Sequence, residues 1–320
     1  VEERELDVES MLSGLHDPVP EGHRSGLVAL VGRPNTGKST LLNHVVGSKV
    51  AIVTDVPGTT RNAIRGVLTR EDAQVVFLDT PGLAKPRTLL TQRLNGLVRD
   101  TWAGVDLLCF VTDVAAGIGA GDAYLAHELQ GVTTPIVAIA NKIDRLRNKE
   151  QMLPELAALQ GLGEQIGGFA DIVPLSATTG DNVDRFLDVI VSHLPEGPRL
   201  FAKGKVSDQP ERQLAAEILR EKLIGAVNDE LPHSIAVTVD EVAADPDRED
   251  LLRVDAVIHV ERDSQKPIVI GRGGENLKRA ATAARTELEV LLGAKVYLST
   301  HVRVAKEWQR DPKQLGRLGY

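Results

Sequence analysis

The sequence predicts an α/β chain in two parts, a mainly parallel, doubly wound sheet followed by a smaller α+β unit, and three observations carry that reading. Residues 27–42, LVALVGRPNTGKSTLL, set an apolar run of strand length, Leu27 to Val31, directly before a glycine-bearing loop and a helical start at Thr40. Short apolar runs of buried-strand type then recur at Val105 to Thr112, Pro135 to Ala140 and Ile172 to Pro174, separated by helix-like segments such as Asp122 to Leu129 and Met152 to Leu159. A parallel sheet covered by helices on both faces leaves this alternation in a sequence. Beyond Pro195-Glu196-Gly197-Pro198 the rhythm changes to helix, two strands, glycine loop, helix and strand.

Taken in order, residues 1–25 are polar and read as a loose tail, with a short amphipathic pattern at Val8, Met11, Leu12 and Leu15. The first domain spans 26–195. Its first helix is expected to end at Gly47, and Ser48 to Asn62, with Pro57-Gly58 at its centre, reads as a loop. Ile64 to Leu68 and Ala73 to Leu78 flank a polar turn and read as a hairpin. Val183 to Leu194 is the last helix of the unit, and residues 196–210 read as a linker. The second domain, 211–304, is expected to hold a helix at Arg212 to Val227, strands at Ser234 to Val239 and Leu252 to Val260 joined by the acidic Ala243 to Asp250, a helix at Glu275 to Leu291 and a strand at Lys295 to Thr300. Residues 305–320 read as a tail.

With 320 residues and 42% hydrophobic content, the chain can bury cores for two ordinary domains. Its formal charge of −8 argues against a surface that coats nucleic acid or anionic membrane as a whole, so charge is read by segment. The single cysteine, Cys109, sits in an apolar run as a core thiol; it excludes an internal disulfide framework and fits a reducing compartment. No apolar stretch approaches the roughly 20 residues of a membrane span, and the acidic start is unlike a signal peptide. The expectation is a cytoplasmic protein with no transmembrane segment. The eight histidines show no metal-ligand or triad spacing.

Gly32-Arg33-Pro34-Asn35-Thr36-Gly37-Lys38-Ser39 fits the phosphate-binding pattern G-x-x-x-x-G-K-[ST] in the strand-to-helix setting that gives it force. Gly32 and Gly37 let backbone approach a pyrophosphate, Lys38 places a cation on the β and γ phosphates, and the Ser39 hydroxyl suits magnesium. Asp79 with Gly82 is spaced as D-x-x-G, a carboxylate facing the metal through water and an N–H sensing the γ-phosphate. Asn141-Lys142-Ile143-Asp144 is N-K-x-D. An ionised Asp144 offers two acceptors to the guanine N1–H and amine, where adenine presents an acceptor, so the base is guanine. Asn141 can tie this loop to the phosphate loop, and the Lys142 stem can cover the base. Ser176-Ala177-Thr178 follows the next strand.

At these motifs the chain resembles the Era family of GTPases, from residue 26 onward. The resemblance implies an α/β P-loop GTPase domain with a mainly parallel doubly wound sheet plus a smaller α+β type II KH domain. It makes Ser48 to Asn62 a switch segment, one of whose threonines closes on magnesium and the γ-phosphate. Thr59 and Thr60 are the candidates, and Thr60, just before Arg61, is favoured. It assigns Ser176, Ala177 and Thr178 to the guanine O6, and places Asn35 where potassium-dependent relatives coordinate K⁺; an asparagine there equally stabilises the loop. Leu83, after Gly82, cannot orient water as the glutamine of signalling GTPases does. Chemistry is therefore positioning and charge neutralisation.

Ile268-Val269-Ile270-Gly271-Arg272-Gly273-Gly274-Glu275-Asn276-Leu277 matches a KH core, in which the glycine loop admits a nucleic-acid backbone. Lys266, Arg272, Lys278, Arg279 and Lys295 form a basic set around it, and residues 262–320 carry 12 Lys/Arg against 6 Asp/Glu, so positive charge gathers where the motif lies. Pro267 to Ile270 has strand propensity, yet the resembled fold makes it a short helix, for which Pro267 suits the first position. An aromatic content of 3% disfavours base-stacking sheets. The implied function is a GTP-hydrolysing switch that binds the 16S rRNA near its 3′ end in small-subunit assembly. The alternative is a GTP-regulated switch whose KH-like domain docks protein or membrane, with peripheral membrane association kept among the partners.

Overall fold

The computed structural model describes residues 18–86, 88–227 and 231–320; the pattern at Val8 to Leu15 lies outside them. The chain divides into two compact units. The first comprises the described residues up to Ala51 with Thr60–Ala84 and Asn95–Asp208; the second comprises Ile52–Thr59, Lys85–Leu94 and Gln209–Tyr320. Two short pieces of the expected first domain thus fall in the second unit.

The first unit is a six-stranded sheet of β1 (Arg24–Val31), β2 (Ile64–Thr69), β3 (Ala73–Asp79), β4 (Leu107–Asp113), β5 (Ile136–Asn141) and β6 (Asp171–Pro174), in the order β2-β3-β1-β4-β5-β6. Only β2 runs antiparallel. Its strands are apolar on both faces because both are covered: Val28 and Leu30 of β1 enter one core while Ala29 and Val31 enter the other. The first core takes α1 (Lys38–Val46) and α5 (Val183–His193). The second takes α3 (Ala120–Glu128), α4 (Met152–Glu164) and the C-terminal half of α2 (Leu89–Trp102). Cys109 is fully buried, and burial pushes its thiol far above the usual range. Gly47 ends α1 in the left-handed region, φ 71°. The stretch read as a linker is fastened along β3, where Gln74 accepts from the Leu200 and Phe201 N–H groups at 2.7 and 2.8 Å.

In the second unit, α6 (Glu211–Ala226) leads through the short α7 (Leu231–Ser234) to β7 (Ala236–Asp245) and β8 (Arg248–Val260). The glycine loop lies between α8 (Lys266–Ile270) and α9 (Glu275–Leu292), and β9 (Lys295–Val304) and α10 (Pro312–Arg317) complete the unit. β8 pairs antiparallel with β7 and parallel with β9. Ala280, Ala284 and Leu288, one stripe of α9, pack with Ile218, Leu219 and Leu223 of α6 and with Val254, Ala256 and Ile258.

Three expectations change here, and the two readings of Pro267 to Ile270 resolve to the helix. The acidic Ala243 to Asp250 is not a connecting loop: the strands run into it and turn at Pro246-Asp247. Its carboxylates are matched by cations, Asp245 by Arg253 at 2.5 Å and Asp250 by Lys295 at 2.9 Å. Pro267 to Ile270 is helical, with proline in the first turn. The last strand continues to Val304. Residues 305–320 are no loose tail, since Trp308 is fully buried, donates Nε1–H to the Ser234 carbonyl at 3.1 Å and stacks on Tyr320.

Candidate nucleotide site and nucleic-acid interface

The loop after β1 leaves the sheet where its neighbours diverge, β3 on one side and β4 on the other, the crevice in which open α/β sheets hold ligands. Gly37 stands at φ 93° as the cap of α1. A Cβ on Gly32 would come within 2.5 Å of the Val111 carbonyl oxygen, and one on Gly82 within 2.6 Å of the Pro34 nitrogen. D-x-x-G and the phosphate loop therefore meet at backbone distance. The Arg33 guanidinium turns to the Gly117 carbonyl at 2.9 Å and to Asp122 at 3.1 Å, leaving only its backbone to the loop.

Lys38, 5% exposed, donates Nζ–H to the carbonyls of Gly32 and Arg33 at 3.1 and 3.0 Å. Burial lowers its pKa to about 8, opposed by the charge of Asp79. Ser39 Oγ–H donates to Asp79 Oδ2 at 2.5 Å and lies 3.1 Å from Thr60 Oγ1, which is 3.5 Å from the same carboxylate oxygen. Asp79 is fully buried, and burial raises it to about 6 against the opposing effects of Lys38, Ser39 and Thr60. Its other oxygen, Oδ1, is buried without a hydrogen-bond partner. Three hard oxygen donors with one orphaned carboxylate oxygen fit a magnesium ion. Thr59 is elsewhere: its hydroxyl donates to the Val56 carbonyl at 2.6 Å inside the 52–59 segment. Leu83 is buried in the apolar core.

Asn141 knots the base end together. At 1% exposure its Nδ2–H donates to the Thr36 carbonyl at 2.8 Å, and its Oδ1 accepts from the Lys142 and Ala177 N–H groups at 2.8 and 3.0 Å. Asp144 Oδ1 accepts from Ser176 Oγ–H at 2.6 Å, Asp144 itself remaining exposed. Lys142 Nζ–H donates to the Asn35 carbonyl and to Asp113 Oδ2, both at 2.6 Å, stretching its stem over the loop. Asp113, at the end of β4, escaped the sequence reading; the signal was an acid closing a buried strand in Val-Thr-Asp. Thr40 follows Ser39 in the first turn of α1, and Thr178 is exposed on the turn after Ala177.

In the second unit Gly271, Gly273 and Gly274 all take positive φ, of 78°, 62° and 83°. A Cβ on Gly271 would come within 2.8 Å of the Asn276 nitrogen. A groove of about 420 Å³ beside the loop is lined by Lys266, Ile270, Leu277, Thr300, His301, Val302 and Arg303. Arg272 and Lys278 are exposed, and Arg279 donates to the Ala226 carbonyl at 3.4 Å. Lys295 does not join this group. It opens β9, roughly 25 Å from Arg303 at the usual rise per residue, and pairs with Asp250. His301 and Arg303 were missed because the expected strand stopped at Thr300.

Residues 27–142 match the family described as 50S ribosome-binding GTPase and residues 230–309 match the KH domain. The chain is 50% identical over 299 residues to the GTPase Era of Mycolicibacterium smegmatis, covering 93% of this chain and 99% of that one. It is 52% identical over 301 residues to the GTPase Era of Mycobacterium tuberculosis, covering 92% and 98%. Two solved structures match at 36% identity over 93% of this chain and 99% of theirs: Aquifex aeolicus Era Y63A bound to GDP and AlF4⁻, with TM-score 0.89, and Era in complex with MgGDPNP and nucleotides 1506–1542 of 16S ribosomal RNA, with TM-score 0.90. On this identity, carried across both units and over motifs that the fold gathers at one loop cluster, the chain belongs to the Era family of GTPases.

Proposed function

We propose that this GTPase is a molecular switch of small-subunit assembly, acting in the cytoplasm, whose KH unit binds single-stranded RNA at the 3′ end of 16S rRNA. The observation that carries the nucleotide half is the meeting of Ser39, Thr60 and Asp79 with one carboxylate oxygen left unpartnered. The RNA half is supported by the glycine loop beside a groove edged by Lys266 and Arg303, and by the rRNA fragment held by the Era relative.

In this reading Lys38 exchanges the Gly32 and Arg33 carbonyls for β and γ phosphate oxygens, and its pKa rises as it does so. The amides from Gly37 to Thr40 point from the α1 N-terminus at the same oxygens. Ser39, Thr60 and Asp79 would hold magnesium, Asp79 through water, and the metal would supply charge neutralisation at the phosphates. The Gly82 N–H reads the γ-phosphate. Asp144 takes the guanine N1–H and amine, the Ala177 region faces O6, and the Lys142 stem covers the ring. Water attacks in line with no general base among these groups, Leu83 being buried and apolar. Intrinsic turnover is slow, and a cation coordinated by Asn35 would supply further charge; turnover in K⁺ compared with Na⁺ at equal ionic strength tests that element.

The test of the RNA half is binding of a 16S 3′-terminal oligonucleotide across a salt series, with Arg272→Asp/Gly273→Asp as the variant. Affinity falling steeply with salt and lost in the variant is expected. An unchanged affinity in the variant removes the glycine loop from the interface, and salt-independent binding favours docking of protein or membrane. Among the described residues no helix is long and apolar enough to cross a membrane.

A further inference from the structure

Within the first unit, the D-x-x-G loop is pinned on both sides of Gly82. Thr80, fully buried, donates Oγ1–H to the Leu30 carbonyl of β1 at 2.8 Å. Two residues beyond Gly82, Asn95 Nδ2–H donates to the Ala84 carbonyl at 2.7 Å, and Asn95 Oδ1 accepts from the Ala84 N–H at 3.5 Å. The chain leaves the first unit after Ala84 and rejoins it at Asn95, so this one amide staples the exit to the return. The downstream end of the loop is thereby fixed inside the unit.

Asn95 is 3% exposed and shares one stripe of α2 with Val98 and Trp102, which are buried in the second core together with Leu83. An amide in such a stripe costs desolvation that a leucine would not. What the amide adds is a grip on both polar groups of one backbone residue, in a stretch, 80–86, that has no helix or strand to pair them. Between the two pins only Pro81, Gly82 and Leu83 are left. Proline has its φ locked and Leu83 is anchored by its burial, whereas glycine has the widest torsional freedom of any residue. The pins take that freedom away and keep Gly82 against the phosphate loop, where a Cβ on it would stand 2.6 Å from the Pro34 nitrogen.

We propose that Asn95 is a positioning residue for GTP hydrolysis: by clasping Ala84 it holds the Gly82 N–H in the direction from which it meets the γ-phosphate. The proposal rests on the reading of Gly82 given above. GDP has no γ-phosphate, so the clasp acts on the bound triphosphate and its hydrolysis and leaves GDP affinity alone. A staple that only stabilised the unit would lower both together.

The experiment is single-turnover GTP hydrolysis and GDP affinity of the full chain, with magnesium, for Asn95→Ala, Asn95→Asp, Gly82→Ala and the double variant Gly82→Ala/Asn95→Ala. Asn95→Ala loses both bonds; Asn95→Asp keeps the shape and the acceptor but sets an oxygen against the Ala84 carbonyl. Each Asn95 variant is expected to lower the hydrolysis rate by about 10- to 100-fold, the scale of a displacement near 1 Å, with GDP affinity unchanged. In the Gly82→Ala background Asn95→Ala should have no further effect. A parental rate in the Asn95 variants, an equal loss of GDP affinity, or losses that add in the double variant would overturn the proposal while leaving the Gly82 reading standing. Parental hydrolysis by Gly82→Ala would remove that reading itself, and the proposal with it. If both Asn95 variants lose their fold by circular dichroism, the amide is a structural staple and the proposal is wrong.

Discussion

Replacing Asn141 by alanine tests the base-end knot. The change removes three hydrogen bonds, of 2.8, 2.8 and 3.0 Å, from a residue 1% exposed. Each such bond nets about 1 kcal/mol, and the Thr36 carbonyl and Ala177 N–H are left where water is scarce, which brings the total to about 3–4 kcal/mol. At about 1.4 kcal/mol per factor of ten, that is roughly a 100- to 1,000-fold loss of nucleotide affinity if it falls wholly on binding. Any share falling on the fold appears instead as lost stability. Titration calorimetry with GDP and GTP, run beside urea unfolding of the same nucleotide-free protein, measures both shares, and their sum should reach about 3 kcal/mol. Asn141→Asp keeps the acceptor and sets an oxygen against the Thr36 carbonyl, so its loss should be at least as large. A combined loss below about 1 kcal/mol for Asn141→Ala would refute the knot.

Three further outcomes follow from the geometry. Asp144→Asn should move preference from guanine toward xanthine, because an amide donates where guanine also donates; full GTP affinity retained by the variant in competition binding would contradict the assignment. Trp308→Ala should cost about 3–5 kcal/mol by denaturant unfolding of the second unit, since the indole is fully buried, hydrogen-bonded and stacked; a loss under about 1 kcal/mol would restore the tail reading. Lys38 has a folded pKa of about 8 against 10.5 unfolded, so its proton is held more weakly in the folded state. Stability of the nucleotide-free protein should therefore rise between pH 8 and 9.5, by about 2 kcal/mol from this group. Comparing wild type with Lys38→Met isolates the contribution, and an identical gradient in both would show that Lys38 is not desolvated.

The phosphate loop, D-x-x-G, N-K-x-D and the KH core were legible because each is a contiguous string whose chemistry depends on local spacing. Strand alternation gave the parallel sheet for the same reason: burial on both faces writes unbroken apolar runs. What escaped depends on contacts between distant positions. Asp113 matters only because β4 ends beside β5, where Lys142 reaches it. His301 and Arg303 line the groove because β9 continues past Thr300 through hydrogen bonds to β8, not through propensity. The acidic run at Ala243 to Asp250 looked like a loop until Arg253 and Lys295 appeared across the sheet from it. Trp308 to Tyr320 carries glycine and proline with little periodicity, and its burial is set by the pocket formed with Ala236 and Leu90. The membership of residues 52–59 in the second unit has no local signature at all, since Val53 and Thr59 are tied to α6 across some 160 positions.

As the assembly switch proposed above, the chain would bind RNA according to its nucleotide state. The most direct measurement is the affinity of the full chain for a 16S 3′-terminal oligonucleotide and a scrambled control, with magnesium, in the GDP and GTP-analogue states at two salt concentrations. Tighter, sequence-dependent binding in the GTP-analogue state is the predicted result. Equal and weak binding of both oligonucleotides in both states would contradict it.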